Sequence, residues 1–104
     1  LPMDPVRESS LIQIFFSHFS TNEEIAALFE VRMREIQEQL HILKTVAQAA
    51  INENAMQIGI ERARQLWQIT LDYGIDYYEF ELAWHEKTLE TIRNLPPLMP
   101  PKNS

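Results

Sequence analysis

The sequence predicts an all-α protein: a short helix followed by two long antiparallel helices, elongated, and paired with a second copy in a dimeric helical bundle. Three observations carry that expectation. Two stretches place apolar residues at alternating spacings of three and four, the pattern of long packed helices. The 104 residues include two glycines, Gly59 and Gly74, too few for the tight hairpins of a sheet-rich fold. One of the long stretches is also apolar on two nearly opposite sides, so it needs two separate covers.

Residues 1–8 read as a connector, in which Asp4 and Pro5 suit a cap and first-turn pair. Residues 9–93 form the helical domain, and residues 94–104 form a proline-rich tail. The first helix carries Leu11, Ile12, Phe15, Phe16 and Phe19 on a broad apolar face and ends near His18, where a polar cluster begins. Ser20 and Glu23 have capping-box spacing and open a second helix. Its seam is Phe29, Met33, Ile36, Leu40, Leu43, Ala47 and Ala50, a heptad run. Carried from Thr21 to near Ile51, it spans roughly 45 Å at 1.5 Å per residue, so the domain is drawn out in one direction. Asn52, Glu53 and Asn54 interrupt the pattern, and Asn54 with Gln57 supplies a cap and box partner for a third helix reaching Arg93. Pro96 and Pro97 then end helix propagation.

The third helix holds a seam of Leu71, Ile75, Tyr78, Leu82, His85, Leu89 and Ile92, and a stripe of Tyr73, Tyr77, Phe80 and Trp84. At 100° per residue their centres lie about 150° apart. Asp72, Asp76, Glu79, Glu86, Lys87 and Glu90 form the polar strip between them. The seam is expected to pack within the chain and the stripe against a second copy, because four exposed aromatics make a large apolar patch for a monomer. Gly74 in mid-helix costs about 1 kcal/mol relative to alanine, and close approach of a partner helix is one reason to keep it. The expected dimer interface is therefore Tyr73, Gly74, Tyr77, Phe80 and Trp84. The same aromatics with Trp67 (that is, Trp67, Tyr73, Tyr77, Phe80 and Trp84) also suit a pocket for a flat aromatic ligand. Ordinary interface packing is the better account of the stripe, since large aromatics at helical spacing serve mainly to bury area.

Composition excludes several classes. A formal net charge of -6 argues against non-specific affinity for nucleic acid or anionic lipid. With no cysteine there are no disulfides, thiolate metal sites or cysteine nucleophiles. No apolar run matches a membrane span and no signal segment opens the chain, so a cytoplasmic protein without a membrane partner is expected. His18, His41 and His85 lie far apart, without metal-ligand spacing, and no cofactor is expected. His85 on an apolar seam reads as a satisfied histidine or as a pH-sensitive element. Carboxylate pairs such as Glu23/Glu24, Asp72/Asp76 and Glu79/Glu81 suit solvated helix surfaces, and without a positioned nucleophile the chain reads as no enzyme. Arg32, Arg34, Arg62 and Arg64 sit among acids and suit local ion pairs.

Taken in order, these features resemble the C-terminal effector domain of the PadR family of transcriptional regulators, also called the virulence-activator alpha C-terminal domain. The resemblance covers about Ser9 to Arg93. It rests on Ile14-Phe15-Phe16-Ser17, on the charged helix opening at Ser20, and above all on the run from Leu71 through Tyr73-Gly74-Ile75-Asp76-Tyr77-Tyr78 to Ala83-Trp84. It implies a winged helix-turn-helix domain before Leu1, outside this sequence, through which alone DNA would be bound. It also implies a homodimer formed by the helical region, and in some members a response to small aromatic compounds. His85 departs from the family pattern, which favours an apolar residue, often leucine, after the Ala-Trp pair. A helical dimerisation adaptor that senses nothing is the alternative reading.

Overall fold

The computed structural model of the chain describes residues 20–97. All regular structure among them is helical. Helix α1 (Asn22–Ile42) passes through a π-helical turn, Leu43–Ala47, into α2 (Gln48–Ile58), making one continuous rod. A reversal at Gly59 and Ile60 leads into α3 (Glu61–Arg93), which returns antiparallel along it. At 1.5 Å per residue the 33 residues of α3 span about 50 Å. The hairpin is accordingly elongated. The expected first helix, which ends near His18 and carries Leu11, Ile12, Phe15, Phe16 and Phe19 on its apolar face, lies outside the described residues.

Local signals explain the start and the reversal, with two corrections. The cap of α1 is Thr21, not Ser20: its hydroxyl accepts from the Glu24 backbone N–H at 3.1 Å, and its own N–H donates to the Glu24 carboxylate at 3.0 Å. The box spacing is the expected one, shifted by one residue. Donation from the Thr21 backbone holds the Glu24 carboxyl below the ordinary carboxylate range. The second correction concerns the break between the long helices, which falls at Gly59 rather than Asn54. Asn52, Glu53 and Asn54 are exposed and remain helical, because polar residues on a solvent face do not oppose the backbone ladder. Gly59 adopts φ 70°, and its N–H caps the Ala55 carbonyl at 2.8 Å. Left-handed backbone favours glycine, and the cap satisfies a carbonyl left open at the helix end.

The core lies in the half of the hairpin that holds the start of α1 and the end of α3. Ile25, Ala26 and Phe29 pack with Leu89 and Ile92, and Met33 and Trp84 close over them. Ile36, Leu40 and Leu71 are buried further along. Exposed pairs tie the two strands of the hairpin together: Arg93 with Glu30 at 2.8 Å, and Lys44 with Glu79 at 3.7 Å. Pairs of this kind contribute well under about 1 kcal/mol each, so burial, not charge, holds the helices in place. No residue of α2 is buried. The seam read from the sequence follows the observed contact face as far as Ala47, which is half-buried. Beyond it, Gln48, Ile51 and Ala55 are half-buried while Ala50 is exposed. Ala50 is thus a further correction: the π turn takes an additional residue and rotates everything after it.

Candidate functional site

The inner seam of α3 is buried or half-buried along its whole length, from Leu71 to Ile92. The aromatic stripe divides. Tyr73 and Phe80 are 64% and 62% exposed, whereas Tyr77 and Trp84 are half-buried. Helical geometry accounts for the split: a step of four residues overshoots a full turn by about 40°, so Tyr77 and Trp84 lean toward the face that meets α1. Trp84 lies against Phe29 with ring centroids 6.0 Å apart, and against His85 edge-on at 5.1 Å. Tyr77 meets Tyr78 edge-on at 5.2 Å. Trp67 is half-buried nearer the reversal. The structure therefore does not gather Trp67, Tyr73, Tyr77, Phe80 and Trp84 around one point.

Tyr73 and Phe80 instead belong to an exposed apolar row that includes Leu66, 51% exposed, and Ile69, 64% exposed. The intervals of three, four and seven from Leu66 to Phe80 form a heptad run of their own, a signal present in the sequence but masked by the more conspicuous aromatics. Arg62 and Lys87 extend the same face at either end, and both are exposed. Gly74 is turned away from this row. A Cβ built there would meet the Leu43 side chain at 3.6 Å, an ordinary contact within the chain.

His85 is buried to 1% exposure in the inner seam. Its Nδ1 lies 2.6 Å from the Glu81 carbonyl oxygen, which only accepts, so Nδ1 carries the proton in this arrangement. Nε2 is buried without a hydrogen-bond partner. The ring packs on Phe29 at 5.1 Å, and the buried Glu81 carboxylate stands 3.8 Å from Nδ1. His85 thus serves as an aromatic seam residue in place of an aliphatic one.

Two arginines pair within their own helices. Arg64 clasps Glu61 through contacts of 2.6, 2.9 and 3.0 Å, and Arg32 pairs with Glu35. The Arg64 hydrogen bonds, helped by Gln65, pull the Glu61 carboxyl down to about 2. A surface cleft of about 280 Å³ at the start of α1 is lined by Asn22, Glu23, Ala26, Ala27, Glu30 and Arg93, away from the aromatic row. Among the described residues no group of three or more histidines and carboxylates converges on a metal position. Among them, too, no helix is long and apolar enough to cross a membrane.

The described residues thus form a helical hairpin with an apolar row facing outward. Residues 6–93 match the family described as virulence activator alpha C-term, and the chain belongs to that family. Its class is regulatory. No curated protein and no solved structure matches the chain.

Proposed function

We propose that this chain is the dimerisation and small-molecule-sensing domain of a PadR-like bacterial transcription regulator, acting in the cytoplasm beside a winged helix-turn-helix domain that contacts DNA. Family membership over residues 6–93 carries the reading. The exposed row of Leu66, Ile69, Tyr73 and Phe80 supports it, because contiguous apolar surface on a slender hairpin needs a cover. Two-fold pairing about Tyr73 brings Leu66 of one copy to Phe80 of the other, and Ile69 to Tyr77, so that the row is its own complement. A planar aromatic effector inserted beside Tyr73, Tyr77 and Phe80, within reach of Trp67 and Trp84, would favour one crossing of the paired helices. The spacing of the attached DNA-reading domains would follow.

Sedimentation equilibrium of the chain at low micromolar concentration tests the pairing. Dimer is expected, and a folded monomer overturns the reading. Saturable quenching of tryptophan fluorescence by planar phenols tests the sensing. One observation favours the adaptor alternative: Trp84 packs on Phe29 inside the chain rather than lining an open surface. Absence of any response across an aromatic library, with dimerisation intact, would select that alternative.

A further inference from the structure

The π turn at Leu43–Ala47 interrupts a rod that is otherwise α-helical. Such a turn accommodates one residue more than an α turn, so the helix beyond it is rotated by about 100°, one residue position. Gln48, Ile51 and Ala55 consequently face α3. With an unbroken α ladder, the heptad Leu40, Leu43 would continue through Ala47, Ala50 and Asn54 to the same face. The two faces of α2 differ by a single residue, and each has something to recommend it. The first covers Ile51; the second restores regular backbone hydrogen bonds and brings Ala50 to the seam beyond Ala47.

Two sets of contacts hold the observed register. The Thr45 hydroxyl donates to the His41 carbonyl, four residues back, at 2.6 Å, supplying a donor where the widened turn draws backbone N–H groups away. The Gln48 and Gln68 amides exchange hydrogen bonds of 2.7 and 2.9 Å across the hairpin, and Gln68 donates also to Asp72 at 2.9 Å. Opposite the turn stands Gly74, where the missing side chain gives Leu43 room to shift. Since no residue of α2 is buried, its rotation disrupts no core, and the buried residues Ile25, Phe29, Ile36 and Leu40 all precede the turn.

We propose that Leu43–Ala47 is a register switch: exchange of the π turn for an α turn rotates α2 and replaces Gln48, Ile51 and Ala55 with Ala50 and Asn54 against α3. The base of the hairpin stays fixed while its far half presents a different surface. Any molecule that binds the far half more tightly in one register shifts the balance between them. The switch is a property of one chain and does not depend on pairing or on an aromatic effector.

Because the sequence lacks cysteine, Ala50→Cys and Ile51→Cys each introduce a single thiol into the whole chain. Alkylation by iodoacetamide is expected to be several-fold faster at position 50 than at 51. Adding Thr45→Ala removes the hydroxyl that supports the π turn, and should slow the reaction at 50 while accelerating it at 51. Gln68→Ala, acting from the opposite helix, should move both rates in the same senses. Rates that rise together report loosening or unfolding and overturn the switch, as does a pair of rates that neither substitution changes.

Discussion

At the scale of single residues, His85 shows how a polar side chain is accommodated in a helical seam. Its ring is buried against Phe29 and Trp84, one nitrogen bonds a carbonyl of its own helix, and the other has no hydrogen-bond partner. A buried unsatisfied group costs about 1–3 kcal/mol, whereas a neutral hydrogen bond contributes about 1 kcal/mol net. His85→Leu removes both and retains an apolar side chain, so it is expected to stabilise the fold by about 1 kcal/mol in chemical denaturation. A lower midpoint would show that Nε2 is satisfied. Glu61 makes a second prediction. Its folded pKa of about 2 lies below its ordinary value of 4.5, so its contribution is present above pH 4.5 and is lost as pH falls toward 2. Arg64→Ala should return the Glu61 carboxyl toward 4.5 in an NMR titration. Persistence of the low value would assign the effect elsewhere.

At the scale of elements, the two glycines have opposite roles. Gly59 has left-handed backbone and open space around it, so Gly59→Ala tests conformation alone and should cost about 1 kcal/mol. Gly74 is helical and faces Leu43 at an ordinary contact distance, so Gly74→Ala should stabilise the hairpin by about 0.5–1 kcal/mol in thermal or urea unfolding. A loss at position 74 would mean that a second helix approaches the backbone there. A capping box near the start of α1 and a seam of regular spacing were legible in the sequence, whereas the reversal at Gly59 was not, because the polar run Asn52 to Asn54 offers a more conspicuous break. Nor was the exact cap, because Ser20 and Thr21 are both competent caps, and each is followed three residues later by a glutamate.

At the scale of the molecule, the dimer reading is best tested where the chain does not need the side chain for itself. Tyr73 is exposed and lies at the centre of the outer row, so Tyr73→Glu should leave helicity unchanged while shifting sedimentation to monomer. Tyr77 is a poorer probe, since it is half-buried beside Tyr78. Glu79 lies off the row and pairs with Lys44, so Glu79→Lys should leave association unchanged. Association that survives Tyr73→Glu and Phe80→Glu would move the interface off this face.

Periodicity alone determined the all-helical class and the inner seam of α3, because residues three and four apart share a helix face whatever surrounds them. Family resemblance, carried mainly by the Leu71 to Trp84 run, pointed to the class of protein. Tertiary structure decided what those patterns left open. Trp84 turned inward because α1 brings Phe29 alongside it, while Tyr73 and Phe80, a few tens of degrees round the same helix, stayed outside and joined Leu66 and Ile69. Ala50 was displaced from the seam by a turn whose hydrogen-bonding pattern no heptad count reveals. Local spacing specifies which residues share a face; only the packing of one helix on another specifies which faces are covered.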